Sequence, residues 1–141
     1  MKIVMTAAVF DLCHKGHINL LKKMRKEAGE GKVVVFLHDD KSIYDTKGKI
    51  PIQNWRQRKK NLKITGLVYS VIKVTDYNNL ANEIRNFCEY HEGDEIIWIR
   101  GDDWSDFPAR KTVEELGIKI KLVPYTKGIS STKIRNKLEK L

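Results

Sequence analysis

The segment that decides the fold is residues 3–17, which read IVMTAAVFDLCHKGH. Its first six residues form a short, mainly apolar run of the kind that predicts a buried β-strand. The HKGH that ends it opens a run with apolar residues at helical spacing. Backbone N–H groups at a helix N-terminus bind anions. The segment therefore predicts a strand, a turn and a helix, with an anion site at the turn.

The rest of the chain repeats the alternation of strand and helix. Further strands are predicted at 32–37, 69–74, 95–100 and 118–123, and helices at 16–30, 53–64, 80–90, 109–116 and 130–141. Residues 39–48 are polar and ambiguous. Alternation of this kind favours right-handed crossovers and a parallel sheet. The predicted fold class is α/β, a single-domain, Rossmann-like, parallel five-stranded sheet with helices on both faces, covering residues 1–141. Ligands of such sheets bind beyond the carboxyl ends of the strands, at the topological switch point.

Composition limits the choice of partner and compartment. Lys and Arg number 27 against 18 acidic residues, a net charge of +9. This charge favours an anionic partner but is equally typical of a solvated basic surface. Cys13 and Cys88 form no CxxC pair and are expected to be reduced. With no apolar run long enough to span a bilayer and no apolar leader, the predicted location is the cytoplasm.

The two histidines of the turn suggest phosphate chemistry. His14 and His17 are three residues apart at the start of the first predicted helix, and Gly16 between them lets backbone approach a ligand closely. An imidazole, neutral or protonated, can donate a hydrogen bond to a phosphate oxygen. The alternative is two ordinary loop histidines, one of them capping the helix. Zinc binding is less favoured, because no further Cys or His cluster completes a tetrahedral site.

Three segments together resemble a known family. His14 to His17 match the HxGH signature of nucleotidyltransferases, and GDDW at 101–104 and GISST at 128–132 follow in the family's order. With these three the chain resembles the cytidylyltransferases, most closely the small bacterial glycerol-3-phosphate type. The resemblance implies that a phosphate monoester oxygen attacks the α-phosphorus of CTP and pyrophosphate leaves. It further implies Mg²⁺ accompanying the nucleotide and a homodimer. The residues themselves predict no membrane partner, because no apolar run spans a bilayer, and no nucleic-acid partner, because the basic segment 56–63 lacks interleaved aromatics.

The resemblance also implies roles for individual residues. Those implied in catalysis are His14, His17, Lys47 and Arg58. Those implied in nucleotide binding are Val9, Phe10, Asp11, Gly16, Asp102, Tyr125, Gly128, Ile129, Ser130 and Thr132. Lys49 and Trp104 are implied in binding the acceptor. From the residues alone, Ser130 is equally a helix N-cap, and the lysines are equally solvated charges. Residues 47–53, polar and bracketed by Gly48 and Pro51, are predicted to be a mobile lid over the phosphates.

Departures from the family pattern leave the substrates open. Val9 stands where the family has threonine, Tyr125 where it has arginine, and Lys127 where it has an acid. A nucleotidyltransferase with another nucleotide or acceptor therefore remains an alternative. A second alternative is a non-enzymatic module that binds nucleic acid through the basic segment 56–63.

Overall fold

A sheet of five parallel strands forms the centre of the molecule, as the sequence predicts. The structure is a computed structural model that describes residues 1–101, 109–124 and 130–139. Its strands are β1 (Lys2–Ala8), β2 (Lys32–His38), β3 (Ser70–Val74), β4 (Glu95–Gly101) and β5 (Lys119–Val123). They lie in the order β3-β2-β1-β4-β5, and every neighbouring pair is parallel. The chain leaves β1 first to one side and then to the other, so the switch point lies between β1 and β4.

Helices connect the strands and cover both faces of the sheet. In the described residues they are α1 (Lys15–Ala28), α2 (Asp40–Lys47), α3 (Trp55–Ile64), α4 (Tyr77–Tyr90), α5 (Arg110–Glu115) and α6 (Ser131–Glu139). None of these described helices has the length and apolar content needed to cross a membrane.

Helix α2 resolves the segment that the sequence left ambiguous. Asp39 caps its first turn, accepting a hydrogen bond from the N–H of Ser42 at 2.7 Å. Gly48 ends the helix in the left-handed conformation, with φ of 70°. Both are ordinary helix boundary signals, and an acceptor at the N-cap with glycine just past the end suffices to define a short polar helix.

Successive strand residues supply two separate core layers. On one face, Val4 of β1 packs in a cluster with Leu21 of α1 and Leu62 of α3. On the other face, Met5 packs in a cluster with Ile84 of α4. Because both faces are covered, the central strands are apolar along their whole length rather than alternating, which is why they stand out in the sequence.

At Gly31 the backbone passes close to the first residue of β1 and to the last residue of α1. Gly31 lies between α1 and β2, and a Cβ built there would fall 1.7 Å from the carbonyl oxygen of Lys2, at the start of β1. It would also lie 2.9 Å from the carbonyl oxygen of Ala28. Only glycine fits this approach without moving β1 away from the end of α1.

We expect Gly31→Ala to lower the free energy of unfolding by about 3 kcal/mol, at the upper end of overpacking costs, because the obstacle is backbone. The matched control is Gly117→Ala, where φ is 72° but nothing lies within 4 Å of the added Cβ. That change should cost only about 1–2 kcal/mol, the strain of a left-handed alanine. Urea unfolding monitored by circular dichroism measures both, and equal losses would contradict the close approach at Gly31.

Candidate active site

Helix α1 begins with two histidines that are tied to its backbone. The N–H of Gly16 donates to His14 Nδ1 at 3.0 Å, and the N–H of His14 donates to His17 Nδ1 at 3.2 Å. This is the reciprocal pattern of a capping box, with imidazole nitrogens as the acceptors. Both histidines therefore take part in capping, a role that the sequence left open for one of them.

The same hydrogen bonds decide which ring nitrogen carries the proton. A neutral imidazole whose Nδ1 accepts a hydrogen bond carries its hydrogen on Nε2. Each ring thus keeps an Nε2–H donor besides the nitrogen used in capping. The two rings stack with 3.7 Å between centroids, and the Phe10 ring meets His17 edge-on at 4.9 Å.

Burial keeps this pair of rings uncharged. Burial, helped by the neighbouring His14, lowers the pKa of His17 to about 3, and Asp11 opposes the shift. Burial also lowers the pKa of His14. Near neutral pH the pair therefore offers two uncharged N–H donors. Fixed donors of this kind stabilise negative charge that develops on a nearby oxygen.

The turn that precedes the histidines has a strained backbone. Phe10, Leu12 and Cys13 have φ values of 50°, 63° and 20°, in or near a region that non-glycine residues rarely adopt. Strain of this kind persists where surrounding contacts over-determine the conformation, and it is common at functional sites. Three hydrogen bonds from distant parts of the chain hold the turn: Arg58 Nη1 to Val9 O, Leu12 N to Gln53 Oε1, and Ser131 Oγ to Asp11 O.

Asp11 is almost fully buried, and its carboxylate is bonded to protein partners. The N–H groups of Ile52 and Gln53 donate to its two oxygens at 2.9 and 3.0 Å. Arg135 Nη2 lies 3.3 Å from Oδ2. The resemblance implies a place for Asp11 beside the phosphates and the metal. In the structure its oxygens bond the turn to the segment before α3 and to α6, and the place at the phosphates stays a prediction.

Arg58 has no exposed surface and also serves as a clamp. Its Nε donates to Gln53 O, its Nη1 to Val9 O and His38 O, and its Nη2 to Asp40 Oδ1, at 2.7–3.0 Å. Four of its five donor hydrogens are thereby bonded within the protein. Arg58 thereby joins the ends of β1 and β2 to the start of α3. The catalytic role that the resemblance implies for Arg58 stays a prediction.

Helix α6 brings the second predicted phosphate segment to the same turn. Ser131 Oγ donates to Asp11 O at 2.6 Å, across 120 positions of sequence. Ser130 Oγ accepts from the N–H of Lys133 at 3.1 Å, so Ser130 caps α6. Thr132 is exposed in the first turn of the helix. The starts of α1 and α6 thus lie at one turn, and phosphate binding by Ser130 and Thr132 stays a prediction.

The segment between α2 and α3 is held more firmly than the sequence predicts. The expectation that little packs residues 47–53 is wrong at their C-terminal end: Pro51 is buried, and residues 52 and 53 are bonded to Asp11. Lys47 ends α2, and Lys49 is exposed in the connection that follows. The mobile lid stays a prediction, and these contacts place residues 52 and 53 outside it.

The remaining predicted residues divide into two groups. Val9 is half-buried and Phe10 is buried, both in the turn, and the N–H of Gly16 is bonded to His14. The other five lie outside the described residues: Asp102, Trp104, Tyr125, Gly128 and Ile129. The side chain of Lys47 is likewise not described.

The described side chains do not form a cage for a metal ion. Within residues 1–101, 109–124 and 130–139, no three His, Cys, Asp or Glu side chains gather closely enough to hold one. Asp11, the carboxylate of the turn, is bonded to N–H groups and to Arg135. Mg²⁺ in nucleotide enzymes is held largely by the substrate phosphates and water. The expectation of Mg²⁺ therefore concerns an ion that arrives with the nucleotide.

Comparison of the sequence with protein-family models identifies a family whose match includes this turn. The family model described as cytidylyltransferase-like matches residues 5–137, which include both histidines and nearly all of α6. This chain belongs to the cytidylyltransferase-like family. This membership agrees with the resemblance to nucleotidyltransferases on which the sequence prediction rests.

Relatives of this cytidylyltransferase-like chain fall into two sets. Glycerol-3-phosphate cytidylyltransferase of Bacillus subtilis is 32% identical over 139 residues, covering 98% of both chains, and that of Staphylococcus aureus is 30% identical over 141 residues, covering 98% and 96%. The bifunctional protein HldE of Desulfatibacillum aliphaticivorans is 35% identical over 136 residues, covering 94% of this chain. The chain spans only 26% of that relative's length.

Solved structures confirm the fold of the family. A lipopolysaccharide core biosynthesis protein from Thermoplasma volcanium superposes with a TM-score of 0.63 at 27% identity, covering 92% of this chain and 99% of that one. Thermotoga maritima TmcAL, bound with alpha-thio ATP, reaches a TM-score of 0.72 at 13% identity, covering 99% of this chain and 50% of that one. The second likeness shows the fold alone. The predicted Rossmann-like parallel sheet is thus confirmed.

Two residues of the site escape the sequence analysis. Gln53 accepts from the N–H of Leu12 through its side-chain oxygen at 3.0 Å, and Arg135 reaches Asp11. Arg135 follows Ser131 by four positions, and this spacing places both on one helix face. That signal was present in the sequence. Its partner, however, is 124 positions away, which no local pattern indicates.

We expect His17 to make the stability of the protein depend on pH. Its pKa is about 3 in the folded chain and about 6.5 when unfolded. Below pH 6.5 the unfolded chain therefore binds a proton that the folded chain does not, and the free energy of unfolding falls as the pH falls. The contribution of His17 should approach 1.4 kcal/mol per pH unit between about pH 6 and pH 4.

Urea unfolding at several pH values measures this slope. The free energy of unfolding of His17→Ala should change less with pH than that of the unmodified protein, by about 1.4 kcal/mol per pH unit. In the control variant His91→Ala, the altered histidine pairs with Asp94, which also bonds the N-terminal ammonium group. This variant should retain the contribution of His17 to the pH dependence of stability. An unaltered slope in His17→Ala would mean that His17 titrates normally in the folded protein.

Proposed function

We propose that this nucleotidyltransferase transfers CMP from CTP to a phosphomonoester, glycerol 3-phosphate, and forms a CDP-alcohol and pyrophosphate. The observation that carries the proposal is the end-to-end match to two glycerol-3-phosphate cytidylyltransferases. The pair of uncharged imidazole donors at the start of α1 supports it. Mg²⁺ accompanying CTP, a homodimer and a cytoplasmic location belong to the same proposal.

The reaction requires positioning more than covalent chemistry. An oxygen of the acceptor phosphate attacks the α-phosphorus in line, and the bond from that phosphorus to the bridging oxygen of pyrophosphate breaks. Negative charge gathers on the leaving pyrophosphate and around the reacting phosphorus. The Nε2–H groups of His14 and His17 would donate to these oxygens and keep their protons, since uncharged imidazole is a very weak acid. Such donors act because they are already oriented before charge develops.

Cations and a second helix start complete the proposed site. Lys47 and Lys49, at and just after the end of α2, would neutralise phosphate charge from one side. Ser130 and Thr132, at the start of α6, would contribute hydroxyl and backbone N–H donors from the other. In this arrangement Asp11 and Arg58 position the turn and do not contact the nucleotide.

A second candidate is nucleotidyl transfer with another nucleotide or acceptor. The FAD synthase of Thermococcus sibiricus is 41% identical over 81 residues, covering 57% of this chain and 53% of that one. The name of that relative gives a product other than a CDP-alcohol. Val9 and Tyr125 also depart from the cytidylyltransferase pattern, so the base and the acceptor need a direct test.

Contacts of Trp55 argue against nucleic acid as the partner. Trp55 is the only aromatic residue of the basic helix α3, and bases bind single-strand sites largely by stacking on aromatic rings. Its Nε1–H donates to Leu37 O at 3.1 Å, and the ammonium groups of Lys59 and Lys73 lie 5.3 and 5.1 Å from its ring centroid. The ring is thus already used to join α3 to β2 and to hold two lysines.

We expect CTP, with Mg²⁺ present, to raise the melting temperature more than ATP, GTP or UTP. A ligand that binds only the folded state stabilises it by an amount that rises with the logarithm of its concentration divided by its dissociation constant. At equal concentrations a thermal shift therefore ranks the nucleotides by affinity. A pyrophosphate-release assay of each nucleotide against several phosphomonoesters then identifies the acceptor. A larger shift with ATP, with pyrophosphate released from ATP, would favour the second candidate.

His17→Ala should lower kcat by about two orders of magnitude, the usual loss when one donor to transition-state charge is removed. The control His91→Ala removes a histidine far from α1 in the sequence and should keep kcat within about twofold. Pyrophosphate release at saturating nucleotide measures both. A folded His17→Ala protein with normal kcat would exclude the proposed role of this donor.

A further inference from the structure

We propose that Arg135 is a positioning residue, which through Asp11 locks helix α6 and the segment before α3 to the turn that carries His14 and His17. The functional part of this inference rests on the proposed function, because it assumes that nucleotide phosphates bind where these elements meet. The mechanical part rests on contacts alone.

The contacts of Arg135 reach two other parts of the chain. Its Nη2 lies 3.3 Å from Asp11 Oδ2 and donates to Ile50 O at 3.4 Å. The Asp11 side chain is 4% exposed, and that of Arg135 is 21% exposed. A buried carboxylate that loses its cation is left uncompensated at high cost, unlike a carboxylate on the surface. Loss of the Arg135 cation should therefore disturb the backbone groups that are bonded to Asp11.

Asp11 is the point at which three segments are joined. Its carboxylate accepts from the N–H groups of Ile52 and Gln53, and its backbone carbonyl accepts from Ser131 Oγ. Helix α6 therefore contacts this one residue twice, at its first turn through Ser131 and one turn later through Arg135. Two contacts one turn apart oppose rotation of the helix as well as translation.

Rotation of α6 matters because of what stands at its start. Ser130 and Thr132 begin α6, while His14 and His17 begin α1. If both helix starts hold one polyphosphate, their mutual position determines the alignment of the reacting phosphorus. A misplacement of about 1 Å can cost a hundredfold in rate. Arg135 would thus influence catalysis through Asp11 without contacting the nucleotide.

Arginine suits this position better than lysine. One guanidinium nitrogen carries two hydrogens, which here are directed to a carboxylate and to a carbonyl of a different segment. A lysine ammonium would restore the charge beside Asp11 but lacks the planar fork that fixes both directions. Arg135→Lys should therefore recover part of the function that Arg135→Gln loses, and Lys137→Gln, at an exposed position of the same helix, serves as the charge-matched control.

The kinetic test compares these three variants by pyrophosphate release. We expect Arg135→Gln to lower kcat at saturating nucleotide by about tenfold or more, Arg135→Lys to lower it less, and Lys137→Gln to leave it within about twofold. A residue that only stabilised the fold would lower the melting temperature and leave kcat of the folded fraction unchanged. Unchanged kcat in folded Arg135→Gln would overturn the positioning role.

Amide hydrogen exchange in the nucleotide-free protein tests the clamp without activity. Arg135→Gln should speed exchange at the N–H groups of Ile52 and Gln53, which are bonded to Asp11 and lie more than 80 positions from the substitution. Lys137→Gln should not. Unchanged exchange at these two amides in Arg135→Gln would overturn the clamp. Faster exchange in a chain that transfers no nucleotide would leave the clamp intact and count against the proposed function instead.

Discussion

The strained turn between β1 and α1 is the constraint on which the site depends. Three non-glycine residues there have positive φ, at a cost of about 1–3 kcal/mol for each that lies in a sparsely populated region. Arg58 and Asp11, both buried, offset this strain. Arg58 donates to the carbonyl of Val9 just before the turn, and Asp11, within the turn, accepts from backbone N–H groups of the segment before α3. Hydrogen bonds from charged groups contribute about 1.5–3 kcal/mol each, which is the right order to hold the conformation.

Charged and uncharged residues have separate tasks around this turn. The buried charges of Asp11 and Arg58, and the partly buried charge of Arg135, act within the protein and join segments that are far apart in sequence. The histidines that offer donors are uncharged, because burial lowers their pKa values. Proximity to the turn is therefore not the same as contact with a ligand, and hydrogen-bond partners distinguish a residue that supports a site from one that acts in it.

This distinction bears on residues to which the resemblance gives a direct role. A catalytic role for Arg58 stays a prediction, and the structure adds that its guanidinium is bonded to backbone around the turn. The segment 47–53 is predicted to be loosely packed because glycine and lysines make up its first part. Ile52 and Gln53 are nevertheless held by backbone N–H groups that donate to Asp11, and side-chain composition does not reveal backbone hydrogen bonds.

The sequence by itself determined the order of strands and helices apart from α2, the parallel sheet, and the resemblance of the histidine turn to a nucleotidyltransferase family. These follow from local periodicity and from short motifs, since strands buried on both faces are continuous apolar runs. Only the tertiary structure decided that both histidines are uncharged Nε2–H donors and that Asp11 and Arg58 are bonded inward. The lowered pKa values of the histidines depend on their burial in the folded chain. The contacts of Asp11 and Arg58 include hydrogen bonds spanning 41 to 124 positions, and such separations leave no local pattern in a sequence.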